Sequence, residues 1–263
     1  MESIKAGRLQ AAFLNMPFAF KLREQGVGVK VCYLGHRDGS TLMVRKDSPA
    51  RSLKDLRGKR IAIPSKLSNQ NLILRRLMEK EGVSPDEIEW VELTPPDMPG
   101  ALAVGAVDGF FVGEPHPARS ELDGTGRVLY HVKDIWPRFI SCCLVVTDKL
   151  IAERRPIVAD LVRGIAESGE WAETHRLDAA RIGAAFFRQD ERVVRHVLTR
   201  PPDRVSYRRL TPEDSDLDTI QDLGVRMGLF ARKIPLSEIL DRSFAPTTIR
   251  AADIQLGPEP IEP

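Results

Sequence analysis

The chain has 263 residues, 42% hydrophobic and 29% charged, a balance that suits a globular protein with one large core or two smaller ones. Lysine plus arginine (39) nearly equals aspartate plus glutamate (37), so no global field selects nucleic acid or a membrane surface as partner. The longest apolar run, around Cys142–Val146, is far below the ~20 residues that span a bilayer, so direct membrane insertion is not expected.

In chain order, a short helical segment ends at Gly7, and Leu9–Leu14 (LQAAFL) reads as a strand buried on both faces. The loop Leu14–Pro17 leads into a helix. Gly26 and Gly28 then open a strand in GVGVKVCYL, and Gly35–Ser40 (GHRDGS) reads as a Gly/Asp turn before the apolar strand TLMVRK from Thr41. Lys59–Pro64 (KRIAIP) is a strand, Ser68–Gly82 a capped helix and Ile88–Leu93 (IEWVEL) a further strand. From Ala103 the opening pattern returns with an offset of 98. Gly7 falls on Gly105, Leu9 on Val107, Phe13 on Phe111, Pro17 on Pro115, Gly26 on Gly124 and Gly28 on Gly126. CLVVTDKL from Cys143 then echoes TLMVRKDS, and two long helical patterns follow, Arg155–His175 and Leu177–Gln189.

Alternation of helices with strands predicts α/β units around a mostly parallel sheet, with ligand-facing loops after the carboxyl ends of the strands. A duplicated lobe would present two equivalent loops, Leu14–Pro17 and Val112–Pro115, toward one cleft. The repeat carries a further expectation. Strand, helix and strand precede the second copy within residues 52–98 and have no counterpart before the first, so the first lobe is expected to lack that unit.

Four stretches carry a family resemblance: SLKDLRGKRIAIP, PPDMPGALAVGAVDGFFVGEPHPA, CLVVTDKLIAERRPIVADLVRGI and GLFARKIPLSEILDRSFA. Together they resemble the periplasmic solute-binding proteins of ABC importers, of the nitrate, bicarbonate, sulfonate and taurine type. The resemblance implies a type II periplasmic-binding-protein-like fold of two α/β lobes joined by two hinge crossings at TLMVRK and SCCLVVT. Lobe I would comprise residues 1–46 and 140–263, and lobe II residues 47–139. It implies capture of a small polar or anionic solute by hinge closure and delivery to ABC permease subunits, with no cofactor and no bond made or broken. It also implies a location in the periplasm or on the outer face of the cytoplasmic membrane. The chain as it stands begins without a signal peptide, which would mean the cytoplasm if Met1 is the true start. Two other readings on the same fold stay open, an intracellular ligand sensor with a regulatory protein partner and an enzyme of vitamin or cofactor biosynthesis.

Candidate ligand residues follow the strand ends. Ser65, Ser68, Asn69 and Gln70 open a helix whose free N–H groups suit an oxyanion, although Ser68 or Asn69 could serve only as the cap. Gly113 and Glu114 are implied as pocket residues, and Glu114 could equally be a first-turn carboxylate facing the helix dipole. Asn15 enters because its loop, Leu14–Pro17, is the counterpart of Val112–Pro115, and Met16 beside it reads as packing. Ser40 and Trp136 complete the set. Gln70 stands where nitrate-type proteins have a histidine, and Pro137 where they have a lysine, so nitrate specificity does not carry over. Five scattered histidines show no metal-ligand spacing, and no metal is expected. The three cysteines read as free thiols acting as small buried hydrophobes.

Overall fold

The computed structural model describes residues 1–246, 249, 252 and 254. Two compact units emerge. The first holds Met1–Arg37, Ile140–Ile182 and the chain from Ser206, and the second holds Asp38–Phe139 and Gly183–Val205.

The first unit opens with α1 (Glu2–Lys5), β1 (Ala11–Leu14), α2 (Met16–Glu24) and β2 (Val29–Asp38). The chain then builds the second unit from β3 (Ser40–Arg45), β4 (Arg60–Ile63), α3 (Asn69–Glu81), β5 (Glu89–Glu92), α4 (Met98–Ala103), β6 (Gly109–Gly113), α5 (His116–Leu122), β7 (Gly126–His131) and α6 (Val132–Ile135). It returns through β8 (Ile140–Thr147), α7 (Asp148–Glu153), α8 (Arg155–Thr174) and α9 (Arg176–Phe187), and the division between the units falls inside α9. After α10 (Glu191–Thr199) and β9 (Val205–Ser206) come α11 (Asp214–Arg226) and α12 (Leu236–Ile239).

The expected repeat is present element by element. Gly7 and Gly105 both adopt positive φ, 69° and 72°, each just past a short helix. In each Gly-x-Gly pair the first glycine makes the turn, with φ of 78° at Gly26 and 71° at Gly124, a conformation cheap only without a Cβ. The second glycine allows close approach. A Cβ at Gly28 would lie 2.8 Å from Asp148 Oδ2, and one at Gly126 would lie 2.9 Å from Leu102 Cδ2.

The sheets are mixed, where a mostly parallel sheet was expected. Strand order is β1-β8-β2-β9 in one sheet and β5-β4-β6-β3-β7 in the other. β4 runs parallel to β5 and β6, but β3 is antiparallel to β6 and β7, and β8 is antiparallel to β1 and β2. The reason is an exchange. The long apolar strand after each copy inserts between the first two strands of the other copy, β3 between β6 and β7, and β8 between β1 and β2.

This exchange moves the expected boundaries. Residues 38–46 belong with the second unit because β3 completes its sheet, and the chain leaves the first unit at Arg37 rather than after TLMVRK. Residues 183–205 also join the second unit, since α10 packs on α5. The chain therefore passes between the units four times, not twice.

Two local expectations are also corrected. β1 is an edge strand, so Phe13 is 49% exposed, whereas its counterpart Phe111 in the central β6 is fully buried. His36 and Arg37 do not lie in a turn. β2 continues to Asp38 by accommodating irregularities against β8 at Leu34/His36 and His36/Arg37, and the turn falls at Asp38–Gly39. α8, by contrast, follows its pattern, burying Val158, Val162, Ala166 and Gly169 along one stripe. No described helix is long and apolar enough to cross a membrane.

Candidate functional site

Because β4 and β6 are parallel, their carboxyl ends share one edge of the second unit's sheet, and the antiparallel β3 begins there, with Ser40 opposite Gly113. Five of the candidate residues, Ser40, Ser65, Gln70, Gly113 and Glu114, are brought to this edge together with Ser68 and Asn69.

Ser68 is the N-cap of α3. Its hydroxyl accepts from the Asn71 N–H at 3.3 Å and donates to the Ser65 carbonyl at 2.7 Å. That commits the side chain to the local turn, the capping role left open for it. The helix then runs 13 residues to Gly82, with no acidic residue in its first turn to offset the positive end of its dipole. Ser68, Asn69, Gln70 and Asn71 are all buried, which is uncommon for four consecutive polar residues. Gln70 Nε2 donates to Ser40 Oγ at 3.0 Å, while Gln70 Oε1 is buried without a partner among the described residues. An unpaired buried acceptor costs roughly 1–3 kcal/mol, so this amide is poised for an additional donor.

Glu114 is placed differently from expectation. Its side chain is only 5% exposed and both oxygens are committed. Oε1 accepts from Thr41 Oγ1 at 2.9 Å and from Arg204 Nε at 2.6 Å, and Oε2 accepts from the Ala118 N–H at 3.0 Å. Burial raises the carboxyl's pKa, against the opposing pull of the Arg204 guanidinium. The cation partner that a pocket carboxylate requires is thus internal. Arg204, 1% exposed, also donates from Nη1 to Glu121 Oε2 at 3.0 Å. Sequence reasoning missed Arg204 and Thr41. Arg204 sits in PPDRVSY, which reads as a charged loop and offers no pattern that pairs it with a residue 90 positions earlier. His131 Nδ1 lies 3.2 Å from Thr41 Oγ1, and burial lowers its pKa.

Trp136 stands at the C-terminal end of α6. It is 7% exposed, with the Arg76 guanidinium 4.0 Å over its ring and Phe139 edge-on at 4.9 Å.

In the first unit, Asn15 occupies the N-cap position of α2 at the end of β1, but its side chain makes no capping bond. Met16 is fully buried, as packing requires. Cys32 and Cys143 are buried thiols; burial pushes Cys32 up to about 12. Cys142 departs from the simple hydrophobe, since its Sγ lies 3.2 Å from His36 Nδ1. Among the described residues no group of three or more His, Cys, Asp or Glu could hold a metal ion.

The profile of the NMT1-like family matches residues 1–186, well over half of the chain. The chain belongs to the NMT1-like family. Its resemblance to solute-binding proteins of the nitrate, sulfonate and taurine type agrees with the relatives found. This NMT1-like chain is 27% identical over 196 residues to the nitrate import ATP-binding protein NrtC of Synechocystis and 30% identical over 115 residues to a putative aliphatic sulfonates-binding protein of Escherichia coli. These alignments take in 66% and 42% of the chain. The chain spans about a third of those relatives, 29% and 36% of their length. Among solved structures, the ligand-binding component of an ABC-type import system from Staphylococcus aureus matches with a TM-score of 0.83 at 25% identity, covering 93% of this chain and 82% of that one. The nitrate-binding protein NrtA of Synechocystis (TM-score 0.78, 13% identity, covering 90% of this chain and 72% of that one) shares the fold. So does the desulfurization enzyme DszB (0.66, 17%, covering 89% and 83%). The periplasmic-binding-protein-like α/β fold inferred from the sequence is therefore the fold of this NMT1-like chain.

Proposed function

We propose that this chain is the solute-binding component of an ABC-type importer and captures a small polar or anionic solute of the sulfonate or taurine class. The observation that carries the reading is the edge formed by Ser40, Ser65–Gln70 and Gly113. There a 13-residue helix presents its N-terminus beside a buried glutamine whose Oε1 is unpaired. A helix N-terminus favours a sulfonate oxygen, and the Gln70 acceptor favours an N–H or O–H on the same solute. Taurine, with both groups, fits that combination better than nitrate, which has no donor.

In this reading capture proceeds by hinge closure about the chain passages. Closure would be a shift of population toward the solute-bound form. Delivery to permease subunits and a periplasmic location belong to the same proposal. Binding rather than catalysis is proposed; the likeness to DszB is one of fold, and fold does not fix activity.

The test is a thermal-shift and calorimetric series with taurine, methanesulfonate, ethanesulfonate and nitrate on residues 1–263. A solute that binds only the native state raises the midpoint by mass action. Taurine or an alkanesulfonate is expected to do so, and Gln70→Ala and Ser40→Ala should each weaken binding about tenfold, the scale of one lost hydrogen bond. No shift with any of the four solutes, or a shift indifferent to both substitutions, would remove the proposal.

A further inference from the structure

Three residues from distant parts of the sequence close a hydrogen-bonded ring in the second unit. The Gly39 N–H donates to the Arg204 carbonyl at 2.9 Å, the Glu114 N–H donates to the Gly39 carbonyl at 2.9 Å, and Arg204 Nε donates to Glu114 Oε1 at 2.6 Å. Arg204 thus holds both the backbone that precedes the Glu114 loop's neighbour and the loop's own side chain. Its Nη1 reaches on to Glu121 in α5 and to the Arg200 carbonyl. Thr41, two residues past Gly39, adds a bond to the same Glu114 oxygen.

The ring stands where the chain changes units. Asp38 and Gly39 follow the passage at Arg37–Asp38, and Arg204 immediately precedes the segment end at Val205. A reciprocal pair ties in the third passage, at Phe139–Ile140. The Asp38 N–H donates to the Phe139 carbonyl at 2.9 Å, and the Phe139 N–H donates to Asp38 Oδ1 at 3.1 Å. Asp38 and Arg138 hold positive φ, 61° and 60°, a conformation that non-glycine residues keep only when the surroundings enforce it. A displacement of Gly113–Pro115 must therefore either break a buried charged bond or carry Gly39 and Arg204 with it.

We propose that Arg204 is a positioning residue, fixing the Gly113–Pro115 loop and coupling the state of that loop to the chain passages at Arg37–Asp38, Phe139–Ile140 and Val205–Ser206. The coupling rests on the reading of that loop as part of the solute site; the positioning does not. Two bonds to two carboxylates from one planar group define a geometry that lysine, a point charge on a flexible stem, does not reproduce.

Amide hydrogen exchange, residue by residue, on wild type, Arg204→Gln, Arg204→Lys and Glu114→Gln tests this, with Arg119→Gln as an exposed control. Without solute, Arg204→Gln should speed exchange at Asp38, Gly39, Glu114 and Phe139 by about tenfold or more while leaving Ala62 and Ile63 in β4 unchanged, the mark of local rather than global opening. Arg204→Lys should show the same local pattern, and Arg119→Gln none. Should Arg204→Gln fail to fold, Glu114→Gln carries the same expectation. Uniform acceleration, or none, overturns the positioning role. With saturating taurine, wild type should slow at all four amides, and Arg204→Gln should bind more weakly and lose the response at Asp38 and Phe139. An undiminished response there overturns the coupling. If taurine binds neither form, the taurine reading fails while the solute-free arm still decides the role of Arg204.

Discussion

Phe13 and Phe111 hold the same place in the two copies of the repeat, yet Phe13 is 49% exposed and Phe111 is fully buried. The difference lies in their neighbours. Among the described residues β1 pairs only with β8, whereas β6 lies between β4 and β3. Phe111→Ala should accordingly cost about 3–5 kcal/mol and Phe13→Ala less than about 1 kcal/mol. Urea denaturation of both variants decides this, and equal losses would mean that Phe13 is buried in solution.

Ser68 and Gln70 are two residues apart and should answer differently. Ser68→Ala removes an N-cap and is expected to lower stability by about 1 kcal/mol without changing taurine affinity. Gln70→Ala should weaken taurine binding more than it lowers stability. Calorimetric titration alongside denaturation separates the two, and a large affinity loss for Ser68→Ala would return that hydroxyl to the solute site.

His36 predicts a pH dependence. Burial lowers its pKa from 6.5 to about 4, so between these values the unfolded chain binds the proton that the folded chain refuses. Its contribution is complete above about pH 6.5 and is lost progressively as the pH falls toward 4, by up to about 3 kcal/mol. His116 and His131 are shifted in the same direction, also chiefly by burial. Between pH 7.5 and 5, His36→Gln should therefore lose less stability than wild type while keeping a residual slope. An unaltered slope would mean that His36 is solvated.

Two glycines give opposite expectations for one substitution. Gly82 caps α3 at φ 67°, so Gly82→Ala should cost about 1 kcal/mol. Gly164 lies within α8 with no atom near an added Cβ, so Gly164→Ala should gain about 0.4–1 kcal/mol. Thermal midpoints of the pair check both signs.

Helix α3, strands β4 to β6 and the glycine turns were legible in the sequence because each depends on residues within one or two turns of each other. The cap at Ser68 and Gly82, the buried stripe of α8 and the Gly-x-Gly pairs are local chemistry. The repeat added something beyond local order, since an offset of 98 residues equates elements by position. Of the site, the helix N-terminus after β4 and the loop after β6 were legible for the same reason. Their roles were less so. Glu114 reads as a pocket residue or a first-turn carboxylate until Arg204, 90 residues on, is seen to occupy it.

The sequence by itself determined the family, the α/β class, the element order and the strand-end loops, all set by short-range pattern and by glycine and capping chemistry. Only the tertiary structure decided that β3 and β8 exchange between the copies and that β1 is an edge. It alone placed His36 against Cys142, and residues 183–205 with the second unit to bring Arg204 to Glu114. Those outcomes depend on which distant surfaces lose water together and which buried charges find partners, and neither is written in the residues adjacent to them.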